Sequence, residues 1–153
     1  VAVELNPAAA PVTVNNFLTY VNSGFYSKTL FHRVIAGFVA QGGGYTTGLV
    51  KKTGQSAPIA LESNNGLLNL RGSLAMARTD VPNSATSEFY FNLADNNSLN
   101  YQSAAKPGYA VFGKVVQGMD IVDKIGAVPT ATLNGVADVP TDEVTLQFAL
   151  QTQ

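Results

Sequence analysis

The chain contains no cysteine, no tryptophan and a single histidine, and only 12% of its residues are charged, about half the usual share. Each absence excludes something. Without cysteine there is no disulfide framework, no thiolate zinc site and no cysteine nucleophile. One imidazole rules out any metal centre built on two. Nine basic residues stand against ten acidic ones with no basic block, which argues against a nucleic-acid surface. The longest apolar stretch, Val34 to Ala40, falls far short of a membrane span, so no membrane insertion is expected. No cofactor motif and no metal-ligand spacing stands out.

What is present fits one domain over residues 1–153, long enough to bury a sizeable core. Apolar residues make up 46%, and Ser, Thr, Asn and Gln supply a further 42 residues that carry solubility in place of charge. An uncharged polar surface without cysteine suits an exported bacterial protein, and a start at Val1 suits the removal of an N-terminal piece.

Val1–Leu5 alternates as a strand and is closed by Asn6-Pro7. Thr13 is a suitable N-cap for a helix whose apolar residues Val14, Phe17, Leu18 and Val21 recur at helical spacing until Gly24. Thr29–Gln41 reads as strand interrupted at Gly37, and residues 45–70 as a surface excursion with short strands at most. Ser73–Arg78, Glu88–Leu93 and Tyr109–Val116 read as further strands, and Met119–Ile125 as a short helix. Asn134-Gly135 signals a tight turn. At the end, Val144, Leu146, Phe148 and Leu150 alternate with polar or small neighbours. Many short strands with a helix near each end predict a mainly β, antiparallel structure, closed into a barrel because closure removes edges.

Few residues invite chemistry. No Gly-x-Ser-x-Gly elbow accompanies His32, and alternation turns it away from Phe31 and Arg33, so it reads as a buried, hydrogen-bonded structural histidine. Gly42-Gly43-Gly44 lacks the ending of a phosphate loop and reads as a tight turn. Asn96-Asn97-Ser98 fits a glycosylation acceptor, a tripeptide common by chance. Arg33 stands out mid-strand among apolar neighbours, where a guanidinium is costly unless paired or facing a groove. Taken alone it suggests a structural ion pair.

Its neighbours change that estimate. The run Phe31-His32-Arg33-Val34-Ile35-Ala36-Gly37-Phe38-Val39-Ala40-Gln41-Gly42-Gly43 resembles the signature of the cyclophilins, a family of peptidyl-prolyl cis–trans isomerases. Gly72–Arg78, Ser84–Phe91 and Tyr109–Met119 match in order and at family spacing, as does Ala10–Thr13 with Asn16-Phe17. The resemblance covers nearly the whole chain and is greatest to the bacterial periplasmic type, through Ala77-Arg78-Thr79, Ser84–Ser87 and Asp120–Ile125.

The resemblance implies a closed eight-stranded antiparallel barrel capped by two α-helices, with the site on its outer face. Arg33 takes the place of the catalytic arginine, and Phe38, Val39, Tyr90 and Leu99 take the positions of the proline pocket. Gln41, Ala77, Arg78 and Glu88 fall where the family holds substrate backbone or supports the arginine, and Tyr109 falls at the groove edge. Val39 replaces the usual methionine, Tyr90 the usual phenylalanine and Glu88 the common glutamine. Ser98 stands where animal members carry the tryptophan that binds cyclosporin, so weak cyclosporin binding is implied. Proline-containing peptides and unfolded or partly folded proteins are the implied partners, for a monomer located in the periplasm or, alternatively, the cytoplasm.

Two other functions compete. A proline-peptide-binding or holding module with weak turnover would follow if Glu88 and Tyr90 had spoiled the groove. A hollow ligand-carrying barrel would follow if the interior were empty, and the large inward candidates Phe89, Phe91, Phe112 and Phe148 argue against it.

Overall fold

Alternation of apolar side chains across a six-stranded antiparallel sheet organises the molecule, which the computed structural model describes over residues 1–153. In chain order its strands are β1 (Ala2–Leu5), β3 (Arg33–Ile35), β4 (Val39–Gly42), β7 (Ser73–Met76), β8 (Phe89–Asn92) and β9 (Val111–Gln117). They lie side by side in the order β1-β9-β7-β8-β4-β3. Three two-stranded ladders complete the β structure: β2 (Thr29–Leu30) with β12 (Thr145–Leu146), β5 (Tyr45–Thr46) with β6 (Val50–Lys51), and β10 (Thr130–Leu133) with β11 (Val136–Pro140). The helices are α1 (Pro11–Asn22) and α2 (Met119–Gly126). The protein is thus mainly β with two helices. Its continuous hydrogen-bonded ladder holds six strands and does not itself draw the closed eight-stranded ring expected from the resemblance.

Successive strand residues face opposite sides of a sheet. One side carries Val34, Ala40, Leu74, Met76, Phe89, Phe91 and Phe112 into the main core, where α1 adds Val14, Phe17 and Val21. Aromatic rings fill this interior: Phe17 lies 5.1–5.4 Å from the rings of Tyr26, Phe89 and Phe112, so a hollow ligand-carrying barrel is not what forms. The other side carries a smaller cluster of Val39, Ala75, Tyr90 and Val111.

Several local expectations change. Helix α1 begins at Pro11, not at Thr13. Proline tolerates the first helical position because an N–H there has no intrahelical partner. Thr13 sits one turn in, where its N–H and hydroxyl donate to Glu62 at 2.6 and 2.7 Å, so a distant carboxylate satisfies the helix start. The expected strand over Thr29–Gln41 breaks at Phe31-His32 as well as at Gly37. Phe31 consequently enters the core while Arg33 faces outward, which reverses the expected pairing of their directions. The terminal alternation fails beyond Leu146: Phe148 is 65% exposed and is no part of the core, while Ala149 packs against it. Within residues 45–70, Asn69 is fully buried rather than on a surface excursion. The Asn134-Gly135 turn forms as expected, both residues at positive φ between β10 and β11.

Candidate active site

Antiparallel register builds one row of side chains across the outer face. Arg33 lies opposite Gln41, Gln41 opposite Tyr90, Tyr90 opposite Ala75, and Ala75 opposite Val111. The row passes from a cation through an amide to an apolar floor. Phe38, Leu67, Ala77, Leu99 and Tyr109 pack around that floor, which makes a small apolar patch distinct from the core. The sheet therefore gathers Arg33, Phe38, Val39, Gln41, Ala77, Tyr90, Leu99 and Tyr109 on one surface, with Glu88 and Arg78 at its margins. Leu67 belongs to the same patch, and its residue type alone gave no signal of that.

Arg33 is half-buried and forms no ion pair; its Nη1 donates to Gln41 Oε1 at 3.2 Å. The remaining guanidinium donors make no hydrogen bond within the chain. Gln41 Nε2 in turn donates to Glu88 Oε1 at 3.1 Å, and His32 Nε2 lies 3.0 Å from the same oxygen. His32 is buried and hydrogen-bonded, as expected, but its partner is a site residue. Glu88 does not touch Arg33 directly; it acts on it through Gln41.

Burial pushes the Glu88 carboxyl upward, yet His32, Gln41 and the charge of Lys51 outweigh it and leave the group below the usual carboxylate range. Stability from this carboxylate is therefore present above its unfolded pKa and is lost as pH falls through the lowered folded value. The glycines nearby make room for it. A Cβ on Gly44 would lie 2.6 Å from Glu88 Cγ, and one on Gly42 would lie 2.8 Å from the Leu30 carbonyl. Close backbone approach, as much as turning, explains the glycine run.

The extra hydroxyl of Tyr90 does not enter the groove. It donates to Asn69 Oδ1 at 2.8 Å, and burial raises its pKa well above the ordinary phenol value. The patch thus stays apolar despite the tyrosine. Asn69 also accepts from Asn92 Nδ2 at 3.0 Å and donates Nδ2 to the Leu99 carbonyl at 3.1 Å. One buried amide ties Tyr90 to Leu99 behind the patch. Its sequence surroundings, Asn and Gly without periodicity, concealed it. Asn96 is likewise buried, donating to the Phe38 carbonyl and to Asn92 Oδ1, so it is no exposed glycosylation acceptor.

Arg78 is committed to the groove wall. Its Nε and Nη2 donate to the Gly108 carbonyl at 3.0 and 2.7 Å, Nη1 donates to the Thr79 carbonyl, and the guanidinium lies 4.6 Å over the Tyr109 ring. A further groove of about 350 Å³ continues beyond Tyr109, between Arg78, Ser98, Asn100 and Lys106. Gly108 holds this corner at φ +64°, and a Cβ there would meet the Leu99 carbonyl oxygen at 2.5 Å. Gly108→Ala is therefore expected to cost about 1–3 kcal/mol of stability from strain and overpacking, and to raise KM as Tyr109 shifts. Chemical denaturation beside steady-state kinetics checks both; an unchanged midpoint would count against the tight corner.

The family model for cyclophilin type peptidyl-prolyl cis-trans isomerase/CLD matches residues 1–149. A peptidyl-prolyl cis-trans isomerase of Acinetobacter baylyi is 52% identical over 144 residues, covering 94% of this chain and 76% of that protein. Peptidyl-prolyl cis-trans isomerase B of Escherichia coli is 51% identical over 140 residues, covering 90% and 85% respectively. Among solved structures, a cyclophilin type isomerase of Cryptosporidium parvum, crystallised in the presence of the dipeptide Ala-Pro, aligns with a TM-score of 0.79 at 25% identity. That alignment covers 99% of this chain and 92% of the other.

Proposed function

The chain belongs to the cyclophilin-type peptidyl-prolyl cis–trans isomerases and accelerates rotation about X–Pro bonds, and on that premise we propose that Arg33 is its catalytic residue and the Tyr90 patch its proline pocket. The observation that carries the assignment is the cross-strand row, in which a guanidinium with open donors stands beside an apolar floor.

The chemistry asks for little else. Rotation of the prolyl amide crosses a barrier near ~20 kcal/mol and breaks amide resonance, so the nitrogen regains a lone pair. A donor aimed at that nitrogen stabilises the twisted amide more than either planar form, which is what lowers the barrier. Arginine suits the task because it stays charged and carries several fixed donors. Phe38, Val39, Tyr90 and Leu99 hold the ring while the preceding carbonyl swings. Ala77, Arg78 and Tyr109 frame the peptide backbone, while Gln41 and Glu88 support Arg33. An acceleration of about 10⁵ needs ~7 kcal/mol, and one charge-assisted hydrogen bond supplies roughly 1.5–3 kcal/mol. Positioning and exclusion of water must supply the rest.

Magnetisation exchange between the cis and trans signals of a prolyl peptide tests the proposal. Catalytic amounts of enzyme are expected to broaden both signals, with the Tyr90 and Leu99 resonances shifting on titration. Binding without broadening would return the protein to the class of holding modules.

The same reading takes proline-containing peptides and partly folded chains as substrates, predicts weak cyclosporin binding because Ser98 offers no ring, and assigns the protein to the periplasm as a monomer. A precursor sequence carrying a signal peptide would support the location. It also takes the sheet to close as an eight-stranded barrel through β2 and β12, a reading supported by the hydrogen bond from the Phe31 N–H to the Val144 carbonyl beside β3.

A further inference from the structure

We propose that His32 is a positioning residue for the isomerase reaction, holding Arg33 in aim through Glu88 and Gln41. The proposal rests on Arg33 being the catalytic donor. Its basis is the polarity of a side-chain amide. Gln41 can present either its oxygen or its NH₂ to Arg33, and only the oxygen accepts from a guanidinium. Glu88 decides between them. An ionised carboxylate is acceptor-only, so it takes the Nε2 end of Gln41 at 3.1 Å and leaves Oε1 to face Arg33 Nη1 at 3.2 Å. The reversed amide would set oxygen against carboxylate and N–H against guanidinium. A glutamine at position 88 would have two ends of its own and impose no such direction.

His32 holds the carboxylate in place. Its side chain is 6% exposed, and Nε2 lies 3.0 Å from Glu88 Oε1, the same atom that accepts from Gln41. Nδ1 is buried and has no partner, so the bond to Glu88 is the one polar contact the imidazole makes. A histidine kept for packing alone would carry that unpaired nitrogen with nothing gained. The Tyr45 ring covers the imidazole at a centroid distance of 4.3 Å, and the Gly44 backbone closes on the Glu88 stem. The groups that face the carboxylate are His32 before β3, Gln41 on β4 with Arg33 beyond it, and Lys51 on β6.

The test compares kcat, KM and their pH profiles for wild type, His32→Phe, His32→Gln and Glu88→Gln, with Arg33→Ala as reference. His32→Phe removes the donor while keeping a ring. It is expected to lower kcat about 3- to 10-fold, the effect of one lost hydrogen bond, with KM within about twofold. It should also move the acid limb of kcat to higher pH, because burial of Glu88 then meets less opposition. His32→Gln carries a donor near the Nε2 position and should restore most of kcat and the limb. Glu88→Gln should abolish the limb, since the carboxylate whose protonation produces it is gone.

Wild-type kcat and pH profile in His32→Phe would overturn the proposal, as would His32→Gln failing as badly as His32→Phe. Should His32→Phe not fold, persistence of the acid limb in Glu88→Gln decides against it. Undiminished turnover in Arg33→Ala would instead remove the catalytic assignment beneath it, so the two failures are distinguishable.

Discussion

Arg33→Ala is expected to lower kcat/KM by about 10²–10³, the usual loss when one preorganised donor is removed from a developing charge. The fold should survive. Arg33 makes no ion pair, its one side-chain hydrogen bond goes to a half-buried glutamine, and its core neighbour Val34 points to the other face of the sheet. Stability should therefore change by no more than about 1 kcal/mol. Arg33→Lys should recover only part of the loss, because an ammonium on a flexible stem keeps the charge but not the fixed fork of donors. Protease-coupled kinetics and cis–trans exchange measured on the same samples separate turnover from binding. Full turnover in the alanine variant would mean that the twisted amide is stabilised elsewhere on the row.

The second large effect lies behind the pocket. Asn69→Ala is expected to cost about 3–5 kcal/mol, because the Tyr90 hydroxyl, the Asn92 amide and the Leu99 carbonyl each lose a partner. At roughly 2–4 °C per kcal/mol for a chain of this size, the melting temperature should fall by about 6–20 °C. KM should rise as well, since Tyr90 and Leu99 form part of the pocket that the amide braces. Urea denaturation beside peptide titration gives both numbers. A loss under about 1 kcal/mol would show that the surrounding groups re-pair among themselves and that Asn69 is no hub.

Much of this was legible from residue order. The strands β7, β8 and β9 fall on the runs read as strands, Ser73–Arg78, Glu88–Leu93 and Tyr109–Val116, and α2 falls on Met119–Ile125. The Arg33 run stood out because a mid-strand guanidinium among apolar residues needs a reason. Three things were not legible. At the break, Phe31 packs on Phe89 and Phe91 while His32 meets Tyr45 and Glu88, partners that no local pattern encodes. The start of α1 depends on Glu62, far along the chain, so Thr13 resembled a cap without being one. Asn69 sits in a stretch whose composition reads as surface, and only the tertiary positions of Tyr90 and Leu99 turn it into an interior bracket. Phe148 shows the converse: alternation places it inward, yet regular pairing ends at Leu146 and the ring lies in water.

The row from Arg33 to Val111 also sets how such a chain can vary. Groove and core residues alternate along the same strands, so recognition and stability are written in opposite phases of one backbone. A one-residue insertion within β8 would turn Tyr90 inward and a core phenylalanine outward, exchanging the two roles at a stroke. Length changes are therefore confined to the connections, such as the long one between β6 and β7. Substrate preference can drift by single substitutions in the groove phase, Val39 and Glu88 being two such positions, while the other phase continues to specify the fold.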